Sequence, residues 1–115
     1  MTIRIFHNPR CSKSRATLAL LQEQGIEPEI TLYLQDPPDA NELRTILKLL
    51  GLDARQLMRK GEAEYGDLGL ADESLSQDQL IEAMVNTPRL IERPIVLANG
   101  RAAIGRPPES VLDIL

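Results

Sequence analysis

Strand-like sequence at both ends of the chain encloses a helical middle, and this order limits the folds open to it. Thr2 to Phe6 alternates apolar and polar residues, which is typical of a half-buried strand. A helix is predicted from about Ser12 until Gly25, since glycine readily takes the left-handed conformation that ends a helix. Glu29 to Leu34 predicts a second strand, parallel to the first and reached by a right-handed crossover. The apolar residues on one face of that strand are Ile30, Leu32 and Leu34.

The middle of the chain, from about 39 to 86, is predicted to be a helical insertion without a strand. Asp36-Pro37-Pro38 stops the second strand, and Gly61 to Glu73 is predicted to be a loop or a broken helical turn. Three short polar side chains favour helix N-termini, because each can accept a hydrogen bond from an unpaired backbone N–H. They are Asp39, Asp53 and Ser76.

The last third of the chain returns to short apolar runs. Pro94 to Ala98 and Arg101 to Ile104 predict two strands, and Asn99-Gly100 between them is the strongest local signal for a two-residue hairpin. Pro107-Pro108 then begins a final helix, predicted over Glu109 to Leu115, because proline is tolerated in the first turn.

The resulting order predicts an α/β protein with a thioredoxin-like fold, as one domain over residues 1–115. A parallel β-α-β unit and an antiparallel β-β-α unit would share one four-stranded mixed sheet. In such folds the first helix carries a reactive cysteine at its N-terminus, and a cis proline precedes the third strand. Cys11 and Pro94 occupy these places, so a cis peptide is expected at Arg93-Pro94.

Cys11 is the only cysteine, and the segment around it is basic although the chain has a net charge of −4. Arg10, Lys13 and Arg15 lie beside it without an acidic residue, which favours an anion site. Unpaired N–H groups and the helix dipole at a helix N-terminus favour a thiolate, so Cys11 is the candidate nucleophile. The alternative is a buried cysteine that acts as a small hydrophobic residue. Three basic neighbours argue against it, because charged residues are not expected around a cysteine in an apolar core.

Composition argues against several other classes of function. No run of about 18 apolar residues is present, so no membrane span is expected, and a lone exposed thiol suits the reducing cytoplasm. A pI of about 5.0 and 3% aromatic residues disfavour nucleic-acid binding. One histidine and one cysteine do not predict a metal site, and no bound cofactor is expected.

Several separated motifs together resemble the glutaredoxin-dependent arsenate reductase family of the thioredoxin-like superfamily. Two features of the chain, the basic residues beside the cysteine and the short C-terminus, resemble the arsenate reductase-like branch of this family. The motifs that carry the resemblance are His7-Asn8-Pro9-x-Cys11-x-x-Ser14-Arg15, Leu32-Tyr33-Leu34, Pro37-Pro38, Leu57-Met58-Arg59-Lys60, Glu92-Arg93-Pro94-Ile95-Val96 and Gly105-Arg106-Pro107-Pro108.

The resemblance implies a role for each matching residue. Cys11 would be the nucleophile, and Arg59, Arg93 and Arg106 would hold the arsenate oxygens; Arg55 and Lys60 are the alternatives to Arg59. The residues implied to support the cysteine are His7, Ser14, Arg15 and Pro94. Guanidinium groups suit this task because they bind oxyanions bidentately and stay charged.

The implied reaction is the reduction of arsenate to arsenite, with glutathione as co-substrate and glutaredoxin as partner. Without a second cysteine the resolving thiol must come from outside the chain. Ser14 excludes a Cys-x-x-Cys oxidoreductase, and Thr17 excludes the Cys-x5-Arg phosphate loop of phosphatase-like reductases. Two alternatives stay open: an Spx-like regulator that binds RNA polymerase or another protein, and a glutathione-linked reductase of another small oxidised substrate.

Overall fold

A computed structural model describes residues 3–115 of the chain, so the Thr2 end of the first predicted strand lies outside the described part. The chain forms two compact units. The first contains residues 3–36 and Arg93–Leu115, and the second contains Pro37–Glu92, which includes the whole predicted insertion at 39–86.

The first unit is built on a four-stranded mixed sheet. Its strands are β1 (Arg4–Phe6), β2 (Glu29–Thr31), β3 (Ile95–Ala98) and β4 (Arg101–Ile104). Their order is β2-β1-β3-β4, with β1 parallel to β2 and antiparallel to β3, and with β3 antiparallel to β4. This arrangement confirms the predicted thioredoxin-like sheet.

One core holds the first helix, the sheet and the C-terminal segment together. Helix α1 (Ser12–Glu23) and a 3₁₀ helix (Pro108–Ile114) contact each other, and the 3₁₀ helix also contacts β4. The final helix is thus correctly placed by the sequence, although it is a 3₁₀ helix. Burial of these apolar side chains removes their surface from water and stabilises the unit. The buried core residues are Ile5, Leu21, Val96, Ala98, Val111 and Ile114.

The Asn99-Gly100 hairpin turn is confirmed. Asn99 has φ 56° and Gly100 has φ 71°, so both residues take the left-handed conformation that a type I′ turn requires. The Asn99 side chain donates a hydrogen bond to the Ile114 carbonyl oxygen at 2.8 Å. The turn therefore also fastens the C-terminal 3₁₀ helix to the sheet.

Strand β2 is shorter than predicted and ends at Thr31. The Leu32 carbonyl accepts hydrogen bonds from the N–H groups of Gln35 and Asp36, and this turn replaces the extended backbone. The three apolar side chains that the alternation places on one face are exposed to solvent: Ile30 at 46%, Leu32 at 37% and Leu34 at 40%.

The second unit consists of four helices and a short 3₁₀ helix (Pro88–Leu90). The helices are α2 (Ala40–Leu50), α3 (Ala54–Leu57), α4 (Ala63–Asp67) and α5 (Gln77–Asn86). Helix α5 contacts α2, α3 and the 3₁₀ helix, and their buried side chains form the core of this unit. The segment predicted as a loop or broken turn contains the short helix α4.

All three predicted N-caps are confirmed. The Asp39 carboxylate accepts from the Glu42 N–H at 2.8 Å. Asp53 and Ser76 each form a full capping box, in which the side chain three residues later bonds back to the cap N–H. Within the described residues, no helix is long and apolar enough to cross a membrane.

Candidate active site

Cys11 is the N-cap residue of α1, at the end of the loop that follows β1. Its N–H donates to the Asn8 carbonyl oxygen, and its own carbonyl oxygen accepts from the Arg15 N–H, both at 3.0 Å. The residue is a free cysteine and buried, with 9% of its surface exposed. The thiol was expected to be exposed but is mostly covered. Its reactivity therefore depends on the groups around it.

Two of the three predicted arginines reach the sulfur of Cys11. Arg106 Nη2 lies 3.9 Å from Sγ, and the Arg93 side chain also donates a hydrogen bond to it. Arg106 is oriented by Arg93, because Arg106 Nε donates to the Arg93 carbonyl oxygen at 2.8 Å. The two guanidinium groups and the thiol thus form one polar cluster.

The surroundings lower the pKa of the Cys11 thiol. Burial alone raises this pKa, because it disfavours the charged thiolate. The Ser14 N–H, the hydrogen bond and charge of Arg93, and the Lys13 N–H act in the opposite direction and together outweigh burial. The lowered pKa increases the fraction of Cys11 that is thiolate, the form that acts as a nucleophile.

His7 and Ser14 hold the loop that leads to Cys11. The Ser14 hydroxyl pairs with His7 Nδ1 at 2.6 Å and accepts from the Asn8 N–H at 3.0 Å, and all three residues are buried. Burial, and secondarily the charge of Arg15, lower the pKa of His7, which keeps the imidazole neutral near pH 7. Ser14 thus acts on the sulfur through its backbone, while its side chain fixes the loop.

Arg15 and Pro94, the other two predicted supporting residues, lie in the same unit. Arg15 Nη1 donates to the Pro9 carbonyl oxygen at 2.9 Å and so holds the loop at its exposed side. The Arg93-Pro94 peptide is cis, as predicted. A second cis peptide, Arg106-Pro107, is not predicted from the sequence.

Gly105 is a residue that sequence reasoning missed. It is buried, and its N–H donates to the Pro94 carbonyl oxygen at 2.9 Å. A Cβ at this position would lie 2.8 Å from Pro94 Cγ and in conflict with Thr17 Oγ1. Gly105 therefore lets α1 approach the two segments that carry Arg93 and Arg106. The one available signal is the glycine directly before Arg106.

Arg59 belongs to the second unit, and its assignment to the substrate stays a prediction. Its Nη1 lies 3.1 Å from Glu62 Oε1 and its Nε lies 3.7 Å from Glu92 Oε1. Its backbone N–H donates to the Leu90 carbonyl oxygen. The guanidinium is thus held between two carboxylates.

The alternative Arg55 has a structural role. Its guanidinium donates to the Tyr65 hydroxyl at 2.7 Å and to the carbonyl oxygens of Leu70 and Asp72 at 2.6 and 2.9 Å. These bonds tie residues 65–72 to α3. Lys60, the other alternative, is exposed.

The part of the chain from residue 3 onward contains no group of three or more His, Cys, Asp or Glu side chains arranged to hold a metal ion. The chemistry available to the cluster is that of a thiolate beside guanidinium groups. A thioredoxin-like sheet with one such cysteine at the N-terminus of α1 defines a class, the thioredoxin-like proteins with a single-cysteine site.

The chain belongs to the ArsC family, whose model matches residues 6–114. It is 61% identical to "Uncharacterized protein YfgD" of Escherichia coli K12 over 114 residues, which cover 98% of this chain and 96% of that protein. It is 54% identical to the arsenate reductase of Neisseria meningitidis serogroup B over 114 residues, covering 98% and 97%.

A solved structure, arsenate reductase from Vibrio cholerae, matches with a TM-score of 0.97 and 52% identity. The match covers 100% of this chain and 98% of that one. These findings confirm the family and the fold that the motifs indicate.

Proposed function

We propose that this protein reduces arsenate to arsenite, with Cys11 as the nucleophile. The observation that carries the proposal is the convergence of the Arg93 and Arg106 guanidinium groups on the sulfur of Cys11. A thiolate and fixed cations in one place suit a reaction between sulfur and a small oxyanion. Membership of the ArsC family and relatives named arsenate reductase support the same conclusion.

Arsenate is held by charge and by the geometry of its donors. Arg93 and Arg106 present N–H groups to the oxyanion in planar forks, and a guanidinium stays charged at any working pH. Arg59, in the second unit, is proposed as a third donor on the strength of the family resemblance. The guanidinium groups also offset the charge that builds up on the oxygens as sulfur approaches arsenic.

The reaction begins when the Cys11 thiolate attacks arsenic and a sulfur–arsenic bond forms. The bond from arsenic to one hydroxyl oxygen breaks, and that oxygen takes a proton from the solvent and leaves as water. A glutathione thiolate then attacks Sγ of Cys11. A sulfur–sulfur bond forms, and the electron pair of the sulfur–arsenic bond stays on arsenic, which passes from the +5 to the +3 state. Arsenite leaves, and Cys11 remains as a mixed disulfide with glutathione.

A second thiol must regenerate Cys11, since the chain has no other cysteine. Glutathione is the proposed co-substrate, and glutaredoxin is the proposed partner that reduces the mixed disulfide by thiol–disulfide exchange. Both require a reducing compartment, so we place the protein in the cytoplasm.

A coupled assay tests this function. Arsenate, glutathione, glutaredoxin, glutathione reductase and NADPH are combined, and arsenate-dependent NADPH consumption is followed at 340 nm. Activity is expected for the wild type and not for Cys11→Ser. Absence of activity in the wild type contradicts the proposal and favours the protein-binding regulator or another small oxidised substrate. Survival of activity in Cys11→Ser contradicts the assignment of Cys11 as the nucleophile.

A further inference from the structure

Five charged side chains of the second unit form one ion-pair network around Arg59. Arg59 lies between two carboxylates, with Glu62 3.1 Å from its Nη1 and Glu92 3.7 Å from its Nε. The second oxygen of Glu62 pairs with Arg89 at 3.1 Å, and Arg89 also pairs with Glu64 at 3.3 Å. The network thus contains two arginines and three glutamates, and its formal charge is −1.

The backbone on both sides of Arg59 keeps the carboxylates beside it. The Arg59 N–H donates to the Leu90 carbonyl oxygen at 2.7 Å, and the Glu92 N–H donates to the Leu57 carbonyl oxygen at 2.9 Å. Glu62 is the N-cap residue of α4, but its side chain forms no cap hydrogen bond and contacts the arginines instead. With 18% of its surface exposed, it is the least exposed side chain of the network, so water and salt screen its charge only in part.

A guanidinium group between two carboxylates is a weak site for an anion. An oxyanion that contacts Arg59 also comes close to the negative charges of Glu62 and Glu92. The repulsion between like charges at short distance is stronger in a partly buried place than in water, because the effective dielectric constant is lower there. The two carboxylates therefore offset much of the attraction that Arg59 exerts on the oxyanion.

We infer that Glu62 is a positioning residue that fixes the Arg59 guanidinium group and lowers its affinity for an oxyanion. Glu92 acts in the same direction from a longer distance, and Arg89 holds the Glu62 carboxylate in place. The inference rests on the proposed function, in which Arg59 is a third donor to the substrate. The carboxylates beside Arg59 then set how tightly the protein binds its substrate before the reaction.

The test uses inorganic phosphate as the probe, because phosphate matches arsenate in shape and charge and its binding requires no reaction at Cys11. The melting temperature of the protein is measured over a range of phosphate concentrations at constant ionic strength. A ligand that binds only the folded protein stabilises it by mass action, so the rise in melting temperature gives the Kd of phosphate.

Glu62→Gln is compared with Glu64→Gln, which removes the same charge from the neighbouring carboxylate. Glutamine keeps an oxygen that can accept a hydrogen bond from Arg59, so the first change removes the charge and retains the shape. Glu64 pairs with Arg89 at the exposed side of the network. Glu62→Gln is expected to lower the Kd of phosphate at least about threefold, and Glu64→Gln should leave it within about twofold of the wild type.

The effect of Glu62 has to pass through Arg59. In an Arg59→Gln background, Glu62→Gln is therefore expected to change the Kd of phosphate by less than about twofold. If Glu62→Gln does not fold, Glu92→Gln replaces it, and the Kd should fall in the same direction.

Four results would overturn the inference. They are an unchanged or raised Kd in the folded variant, an equal fall in Glu64→Gln, an equal fall in the Arg59→Gln background, and no rise in melting temperature with phosphate in either the wild type or Glu62→Gln.

The outcome is separate from that of the arsenate assay. Where arsenate is reduced, Glu62→Gln should lower KM for arsenate by about the same factor and change kcat by less than about twofold, because it acts on binding. A selective phosphate effect without arsenate reduction retains the role of Glu62 and contradicts the proposed function. Arsenate reduction without a phosphate effect retains the function and contradicts the role of Glu62.

Discussion

Gly105→Ala tests how α1 is placed against the segments that carry the two arginines. The added Cβ would lie 2.8 Å from Pro94 Cγ and 3.1 Å from Thr17 Cγ2, and nearer still to Thr17 Oγ1. Thr17 is completely buried, and its hydroxyl donates to the Lys13 carbonyl oxygen at 2.8 Å. The Thr17 side chain therefore cannot turn away without losing this bond.

The cost of the added methyl group follows from these contacts. An extra methyl in a closely packed interior costs about 1–3 kcal/mol, and a lost hydrogen bond adds roughly 0.5–1.5 kcal/mol. We expect the free energy of unfolding to fall by about 2–4 kcal/mol. Because Arg106 follows Gly105 and Arg93 precedes Pro94, the guanidinium groups should also move from the sulfur and the Cys11 pKa should rise.

Urea unfolding gives the stability, and the pH dependence of Cys11 alkylation gives the pKa. Gly61→Ala is the matched control, because Gly61 has open space around its Cβ position and no left-handed backbone. Its unfolding free energy should stay within about 0.5 kcal/mol of the wild type. Equal stability and an equal Cys11 pKa in Gly105→Ala and the wild type would refute the packing argument.

Four further substitutions test other contacts of the site. Arg93→Lys and Arg106→Lys should each lower kcat/KM for arsenate at least about tenfold, since a lysine keeps the charge but loses the planar fork; equal kcat/KM in the coupled assay would contradict this. Ser14→Ala should lower the free energy of unfolding by about 1–3 kcal/mol, because it leaves buried polar partners unsatisfied, among them His7 Nδ1; urea unfolding measures the loss, and an unchanged midpoint contradicts it. Burial and the charge of Arg15 lower the pKa of His7, so its contribution to stability is complete above about pH 6.5 and is lost as the pH falls towards the folded-state pKa. The wild type should therefore lose more stability than His7→Asn between pH 7.5 and 5, and equal losses in urea unfolding would argue against a buried neutral His7.

The local elements were predictable because their signals lie within a few residues. Asp39, Asp53 and Ser76 each satisfy N–H groups of their own helix, so the cap and its target are neighbours in sequence. The Asn99-Gly100 turn is local in the same way. The length of β2 was not predictable from alternation, because the turn at Leu32 ends the strand while the apolar pattern continues.

The sequence signals Cys11, Arg93 and Arg106, which the structure brings together, but it does not signal the contacts among them. The helix N-terminus at Cys11 and the two Arg-Pro pairs carry visible signals in the sequence. Arg106 and Cys11 are 95 residues apart, and nothing local indicates that the Arg93 carbonyl oxygen orients the Arg106 guanidinium. The packing of Gly105 on Thr17 is likewise a contact between distant segments.

The pKa of Cys11 in the wild-type protein tests the central claim most directly. Its rate of reaction with iodoacetamide is measured from pH 4 to 10 and fitted to a single ionisation. The hydrogen bonds from the Ser14 backbone, from Arg93 and from the Lys13 backbone predict a midpoint below the value of about 8.5 for a free cysteine. A midpoint at or above that value would show that burial outweighs these donors, and Cys11 would not be the activated thiolate described here.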